Sequence, residues 1–317
     1  MSDFPKFVEF HEEGPREGFQ AEKEIFPLQE RVAFIEALSE TGLKQIQVGS
    51  YVNPKMVPQM ADTDDLFNAI TKNDQVRYTA LWLNQRGFDS ALANSHVDVD
   101  GKIFLYTSDA FCRKNNGCSA QELNQKQLKW LDAYKENNIA LESVYILTAF
   151  GCNIQGEVPI ESLNGALSFV KAICESRELK TPKIILTDTM GWGNPLEVKR
   201  RIDAVRVLLP GARIGMHLHD TRGMGPANVY SSLEMGIDLF ESSVAGLGGC
   251  PFGSQKNMQA AGNVCTEDMA LMCEELGIDT GLNLDALIEA ARMVERIIGR
   301  PLMGKAMHSG TIASLRK

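Results

Sequence analysis

The chain has 317 residues, 44% hydrophobic and 23% charged, which is the composition of an ordinary globular protein. Its formal net charge of −9 and its isoelectric point near 5.2 argue against a nucleic-acid-binding surface. We expect no secretory signal and no membrane span, since no stretch approaches the roughly 20 apolar residues needed to cross a bilayer. The seven cysteines show no spacing typical of a zinc site, so a reduced, cytoplasmic protein is expected.

Short β-rich runs alternate along the chain with longer segments of helical periodicity. Apolar strands separated by helices are typical of a parallel sheet that helices cover. Eight such units predict an α/β fold, a (β/α)8 TIM barrel with additional C-terminal helices. The predicted strands lie at residues 7–12, 44–49, 76–81, 102–106, 141–148, 183–187, 213–217 and 239–244.

Helical periodicity predicts the covering helices at residues 28–39, 63–71, 120–136, 159–176, 195–209 and 225–235. Two more helices are predicted at residues 266–276 and 284–298, the first with Thr266 as its N-cap. The tail, residues 301–317, is either mobile or folded back over the barrel. We expect one catalytic domain over residues 1–317, with the barrel at about 7–265. An open doubly wound sheet is the alternative, but no Gly-x-Gly-x-x-Gly follows the first strand.

Two of the five histidines, His217 and His219, lie two residues apart at the end of an apolar run. Alternate side chains of a strand share a face, so both imidazoles are expected to point the same way. Such a pair suits a metal ion. The alternative is a pair of core histidines satisfied by hydrogen bonds.

Polar residues also follow other predicted strands, at the rim where barrel enzymes carry their catalytic groups. Glu17, His217, His219 and Asn263 together offer a mixed coordination sphere of oxygen and nitrogen atoms. Oxygen ligands suit Mg²⁺ or Mn²⁺ and imidazole suits transition metals, so a divalent cation is the predicted cofactor, Mg or Mn before zinc. Asp220 either orients a histidine or caps the following helix.

Two further residues of the predicted rim carry groups that act on substrates in other enzymes. Arg16 either stabilises an oxyanion with its fixed fork of donors or forms a structural ion pair with Glu13 or Asp188. Cys250 lies in a Gly-rich loop, where its thiol either transfers a proton or is a small residue in a flexible turn.

Five segments in order resemble 3-hydroxy-3-methylglutaryl-CoA lyase, in the metal-dependent lyase branch of the pyruvate carboxyltransferase-like barrels. The resemblance covers residues 7 to about 301. The segments are 14–20 (Gly-Pro-Arg-Glu-Gly-Phe-Gln), 53–60 (Asn-Pro-Lys-Met-Val-Pro-Gln-Met), 217–221 (His-Leu-His-Asp-Thr), 242–251 (Ser-Ser-Val-Ala-Gly-Leu-Gly-Gly-Cys-Pro) and 262–268 (Gly-Asn-Val-Cys-Thr-Glu-Asp).

This resemblance implies a retro-Claisen cleavage of a 3-hydroxy-3-methylglutaryl-CoA-like hydroxyacyl-CoA into acetyl-CoA, or a homologue, and an oxo acid. It implies that Arg16 steadies the enolate, that Cys250 is associated with proton delivery and that His217 belongs to the catalytic set. It also implies four metal ligands, namely Glu17, His217, His219 and Asn263.

The chain departs from the family pattern at several positions. Glu17 stands where the family has aspartate, and Gln47 stands where it usually has glutamate. Leu218 and Arg222 replace a frequent cysteine and tyrosine, and the loop from Cys250 to Asn263 is a few residues longer. Glu17 and Gln47 either compensate for each other or mark a different acyl substrate.

Other functions of the same scaffold remain open at this point. A Claisen-type enzyme that condenses acyl-CoA with a 2-oxo acid usually has a long regulatory domain and lacks the Gly-Leu-Gly-Gly-Cys-Pro run. A non-catalytic acyl-CoA-binding barrel is a further alternative, and carboxyl transfer needs a mid-barrel lysine that we do not find. Lys23, Lys55 and Lys114 are candidates for the CoA phosphates by sign and predicted rim position. The expected partners are a small-molecule acyl-CoA and further copies of the chain, as a homodimer or higher homo-oligomer.

Overall fold

The computed structural model describes residues 4–249, 262–313 and 316. Within this part of the chain, eight strands form one sheet, and each coincides with a predicted strand to within a few residues. The eight predicted strands are therefore confirmed. They are β1 (Glu9–Glu12), β2 (Gln45–Tyr51), β3 (Arg77–Trp82), β4 (Gly101–Tyr106), β5 (Leu141–Leu147), β6 (Lys183–Asp188), β7 (Ile214–Leu218) and β8 (Leu239–Ser242).

The strand order of this sheet is β3-β2-β1-β8-β7-β6-β5-β4, so consecutive strands are neighbours except β3 and β4, which are its two edges. The pairs β1–β2, β2–β3, β4–β5, β5–β6 and β6–β7 are parallel. The first strand lies beside the last, which is the strand order of a (β/α)8 barrel.

The helices of seven or more residues follow the predicted alternation, with two additions. Among them, α3 and α4 were not predicted, and the others confirm predicted helices. Two shorter helices, Phe19–Ala21 and Ala306–Ser309, were not predicted either. The bounds are α1 (Leu28–Ser39), α2 (Thr63–Ala69), α3 (Gln85–Ala93), α4 (Asp109–Asn116), α5 (Ala120–Glu136), α6 (Ile160–Arg177), α7 (Pro195–Leu208), α8 (Gly225–Glu234), α9 (Thr266–Glu275) and α10 (Leu284–Ile298). Among the described residues, every helix is too short or too polar to cross a membrane.

Caps explain where the two additional helices begin. Before α3, the Asn84 side chain accepts the N–H of Gly87, and before α4 the Ser108 hydroxyl accepts the N–H of Phe111. The predicted cap of α9 is wrong, because Thr266 is the first helical residue and its hydroxyl donates to the Glu12 carboxylate, 2.7 Å away. The Thr266 hydroxyl therefore binds the buried Glu12 carboxylate and does not cap the helix.

The chain contains two compact units, and the single-domain organisation stays a prediction. The middle unit is Asp100–Leu239, and the terminal unit combines Pro5–Val99 and Phe240–Gly249 with the described residues from 262 onward. In the middle unit, strands β4–β7 are almost wholly buried, and the Arg201 guanidinium donates to the carbonyls of Ala149 and Val158. These bonds tie α7 to the segments that follow β5.

The terminal unit holds strands β1–β3 and the N- and C-terminal helices. Phe34, Ile35 and Leu38 of α1 are fully buried, where α1 packs against α10. The predicted alternative of a folded-back tail holds for residues 302–306, since the N–H of Met303 donates to the carbonyl of Ala245 at 3.1 Å. The end of β8 and the C-terminal segment are thus in direct contact.

Candidate metal and substrate site

A π-helical turn, Gly14–Gly18, follows β1 and carries Arg16 and Glu17. π-Helical turns are rare and occur often at functional sites. Both end glycines are required by close packing: a Cβ at Gly14 would lie 2.5 Å from Glu12 Oε1, and one at Gly18 would lie 2.9 Å from Leu247 Cβ. The turn is therefore pressed against the terminal unit's own core.

Arg16 is held by three side chains of the terminal unit. Its Nε donates to Gln47 Oε1, and its Nη2 donates to Glu13 Oε2 at 2.6 Å and lies 3.2 Å from Glu17 Oε2. Burial disfavours the charged guanidinium, but the carboxylates of Glu17 and Glu13 outweigh it and raise the pKa of Arg16. The ion pair with Glu13 expected from the sequence is present, and Gln47 supplies a neutral acceptor where the resemblance implies a carboxylate.

Glu17 and Asn263 lie on either side of Gly248. This glycine has φ +93°, and a Cβ there would lie 2.8 Å from Glu17 Cγ and 2.9 Å from Asn263 Nδ2. The N–H of Gly249 lies 3.4 Å from Glu17 Oε1. The structure therefore brings two of the sequence-predicted ligands close to the same glycine.

The Asn263 amide is fixed by its nitrogen atom. Nδ2 donates to Ser243 Oγ at 3.1 Å and to the Leu247 carbonyl at 3.2 Å. Oδ1 is buried and accepts no hydrogen bond from any described residue. A buried amide oxygen without a donor is costly unless another group satisfies it, and a hard cation is such a group.

In the middle unit, His217 is the fourth residue of β7 and His219 follows the strand directly. Both are buried, with ring centroids 5.2 Å apart. His219 Nδ1 lies 3.0 Å from the carbonyl of Asp188, and because a carbonyl only accepts, Nδ1 is the donor in this bond. The Asp188 carboxylate accepts the N–H groups of Trp192 and Gly193, and burial raises its pKa.

Asp220 contacts the start of α8. Its carboxylate accepts the N–H of Gly225 at 2.7 Å. Of the two predicted roles, orienting a histidine or capping the helix, this contact corresponds to the second.

Among the described residues, one group of histidine and carboxylate side chains is able to hold a metal ion: Glu17, His217 and His219. Each offers one ligand atom. The ligand types in this group, imidazole nitrogen and carboxylate oxygen, suit a divalent cation, and so does the amide oxygen of Asn263.

Two buried carboxylates in the terminal unit were not singled out in the sequence, although Glu267 lies within the resembling segment 262–268. Glu12 accepts the N–H groups of Gly14 and Val244, and burial raises its pKa to about 7. Glu267 accepts the N–H of Ala245, and burial raises its pKa to about 8. Each carboxylate binds the main chain just beyond β8, a role that only long-range contacts reveal.

The lysines predicted to bind CoA phosphates are all exposed. Lys55 lines a cavity of about 440 Å³ together with Tyr51 and Arg86, and Lys23 and Lys114 lie elsewhere on their units. Their role stays a prediction.

Cys250 lies outside the described residues. The described cysteines are buried and free, and they are Cys112, Cys118, Cys152, Cys174, Cys265 and Cys273.

An eight-stranded α/β sheet with this strand order is the sheet of the (β/α)8 barrel class. The family model described as HMGL-like matches residues 7–294, and the chain belongs to this family. The mitochondrial hydroxymethylglutaryl-CoA lyase of Mus musculus is 37% identical over 306 residues, covering 96% of this chain and 90% of the mouse protein.

A Pseudomonas aeruginosa protein, 3-hydroxy-3-isohexenylglutaryl-CoA/hydroxy-methylglutaryl-CoA lyase, is 35% identical over 94% of this chain and 95% of its own length. The crystal structure of hydroxymethylglutaryl-CoA lyase from Pseudomonas aeruginosa superposes with a TM-score of 0.87 at 34% identity, covering 96% of this chain and 97% of that one. This agreement confirms the predicted TIM barrel, and with the family model it confirms the resemblance.

Proposed function

We propose that this protein is a divalent-metal-dependent carbon–carbon lyase that cleaves a 3-hydroxy-3-methylglutaryl-CoA-like thioester. Membership of the family, whose lyases depend on a divalent metal, supports the reaction class. The observation that carries the proposal is the candidate metal site of Glu17, His217 and His219, in a chain so similar to named lyases.

In the proposed reaction, the hydroxyl on C3 loses its proton and the bond between C2 and C3 breaks. Its electron pair moves to C2 as a thioester enolate, which takes up a proton and leaves as acetyl-CoA or a homologue. The remaining carbon skeleton becomes the oxo acid. Negative charge therefore develops first at the C3 oxygen and then on the enolate, so the site must stabilise both.

Glu17, His217, His219 and Asn263 would hold the cation. When bound, a divalent cation supplies positive charge next to the reacting oxygen atoms of the substrate. The Asp188 carbonyl accepts a hydrogen bond from His219 Nδ1 and so orients the ring. Metal-binding histidines usually donate such a bond from the nitrogen that does not bind the metal.

Arg16 would stabilise the enolate. Its guanidinium is charged, about nine-tenths buried and held by Gln47 and Glu13, so it costs little reorganisation when charge develops nearby. Cys250 would deliver the proton to C2, an assignment supported by the resemblance of residues 242–251 to the family.

The substrate is proposed as a class, an acyl-CoA with a hydroxyl and a carboxylate on a branched chain. The Pseudomonas aeruginosa relative is named for two such thioesters, so both belong in the assay. Lys23, Lys55 and Lys114 are the proposed phosphate contacts. We further propose a cytoplasmic homodimer or higher homo-oligomer.

The test is cleavage of 3-hydroxy-3-methylglutaryl-CoA and 3-hydroxy-3-isohexenylglutaryl-CoA by the purified protein with Mg²⁺ or Mn²⁺. The expected result is acetyl-CoA and the matching oxo acid, formed in the presence of metal and lost with a chelator. If neither thioester is cleaved with either metal, the lyase proposal fails.

A matched pair of histidine variants tests the metal site. His219→Gln removes a proposed ligand, whereas His11→Gln changes an equally buried histidine that lies between Glu9 and Gln45. We expect metal affinity to fall at least about tenfold for His219→Gln and to be unchanged for His11→Gln. Equal affinities in the two variants would contradict the assignment.

A further inference from the structure

The segment after β8 makes a tight 3₁₀ turn, Val244–Gly246, with a strained centre. Ala245 is buried and has φ +58° and ψ +11°, in the left-handed region. A residue with a Cβ seldom adopts this conformation, and it persists where the surroundings impose it. The groups that impose it lie elsewhere in the chain.

Glu267, at the start of α9, holds the turn from one side. It is fully buried, and the N–H of Ala245 lies 3.0 Å from each of its two carboxylate oxygens. A buried N–H group left without its acceptor is costly, so this contact stabilises the turn.

Residues 302–306, which we name the C-terminal strap, hold the turn from the other side. The N–H of Met303 donates to the carbonyl of Ala245 at 3.1 Å. The backbone of Gly304 runs so close to Glu267 that a Cβ there would lie 2.1 Å from Oε1. The strap itself is held by the Asp268 carboxylate, which accepts the N–H groups of Lys305 and Ala306. Both polar main-chain groups of Ala245 are therefore bound by distant parts of the terminal unit.

Two residues beyond Ala245, the carbonyl of Leu247 accepts both the main-chain N–H and the side-chain Nδ2 of Asn263, at 3.2 Å each. The position of this carbonyl therefore determines where Asn263 Oδ1 points. A turn that relaxes from its left-handed centre moves the carbonyl, and the amide oxygen moves with it.

We propose that Glu267 is a positioning residue: together with the C-terminal strap it fixes the Ala245 turn, and through Leu247 it aims Asn263 Oδ1 at the cation. The proposal rests on the proposed function insofar as Asn263 is a metal ligand. It assigns a role in metal binding to a carboxylate that does not itself belong to the ligand set.

The test compares Glu267→Ala with the conservative Glu267→Gln, which keeps one acceptor oxygen for Ala245. Mn²⁺ affinity by calorimetry, kcat and KM, and the exchange rate of the Ala245 amide hydrogen are measured. For Glu267→Ala we expect Mn²⁺ affinity and kcat to fall about 10- to 100-fold, KM for the thioester to stay within about threefold, and exchange to accelerate. Glu267→Gln restores Mn²⁺ affinity to within about threefold of wild type.

Asp98→Ala is the control, because the Asp98 carboxylate also accepts a backbone N–H, that of Tyr78, but none from the turn. It is expected to lower stability and to leave Mn²⁺ affinity unchanged. Should Glu267→Ala fail to fold, Gly304→Ala displaces the same carboxylate and is expected to lower Mn²⁺ affinity likewise.

Wild-type Mn²⁺ affinity in Glu267→Ala, or a loss that Glu267→Gln does not restore, would overturn the proposal, as would unchanged amide exchange at Ala245. Metal binding and amide exchange need no turnover. An inactive wild-type protein would therefore contradict the lyase proposal alone, while these two measurements still decide the role of Glu267.

Discussion

Replacement of Gly248 by alanine tests whether close packing around this glycine holds the metal ligands in place. The added Cβ would lie 2.8 Å from Glu17 Cγ and 2.9 Å from Asn263 Nδ2, against at least 3.4 Å for an ordinary contact. Both side chains must therefore move apart by about half an ångström. Since an error of about 1 Å costs on the order of 100-fold in rate, we expect kcat/KM to fall roughly tenfold to 100-fold.

Backbone strain is the second consequence of the substitution and needs its own control. Alanine at a φ of +93° is expected to lower the free energy of unfolding by about 1–2 kcal/mol. Gly117→Ala is the matched control, because Gly117 also has positive φ, +67°, but an added Cβ there meets nothing within 4 Å. Gly117→Ala is expected to lower stability by a similar amount with unchanged kinetics.

The assay measures kcat/KM, Mn²⁺ affinity by calorimetry and the free energy of unfolding for both variants. The expected outcome is a similar loss of stability in the two, with a loss of Mn²⁺ affinity and activity confined to Gly248→Ala. If Gly248→Ala keeps wild-type Mn²⁺ affinity and kcat/KM, Glu17 and Asn263 do not act together, and the reasoning is refuted.

Three further predictions follow from particular contacts. The pKa of Glu12 is raised from 4.5 to about 7, so its contribution to stability is present below pH 4.5 and is lost as the pH rises to about 7. Glu12→Gln removes this pH dependence. Chemical denaturation at pH 4.5 and 7.5 measures the free energy of unfolding of both proteins. Between these two pH values, the value for the variant minus that for the wild type should rise by roughly 3 kcal/mol. Arg16 contacts both Glu17 and Gln47. Glu17→Asp should therefore lose activity, and the double variant Glu17→Asp/Gln47→Glu should regain part of that activity. A double-mutant cycle of kcat/KM measures this coupling. Additive effects would show that the two positions are independent. Saturating Mn²⁺ should raise the unfolding temperature of the wild type by several degrees but not that of His219→Gln, since binding at 100 times Kd stabilises by about 2.7 kcal/mol; equal shifts would place the cation elsewhere.

The strands were predictable because their signal is local. Each is a short run of apolar residues bounded by polar or Gly-containing segments, and burial of such runs depends little on the rest of the chain. Helices α3 and α4 were missed because α3 contains Gly87 and α4 is mostly polar. Their caps, Asn84 and Ser108, were the available signal.

The types of residue in the candidate site were also readable, because a metal site needs particular donor atoms whatever their arrangement. His217 and His219 stand out through their spacing alone. Arg16, Glu17 and Asn263 stand out as polar residues after predicted strands, and the resemblance to known motifs implies their roles. The buried positions of Glu12 and Glu267 could not be found in this way, although Glu267 lies within a resembling segment. An isolated carboxylate in a sequence is usually a solvated surface residue, and only tertiary packing shows that it is buried.

The sequence by itself determined the repeating strand–helix pattern, the family and the donor atoms, since these depend on residue type and local spacing. Only the tertiary structure decided that Gln47 accepts a bond from Arg16, that Ala245 is held in a left-handed turn and that Asn263 Oδ1 has no donor among the described residues. These features arise from contacts between residues far apart in the chain, and their energies depend on burial, which no local pattern specifies.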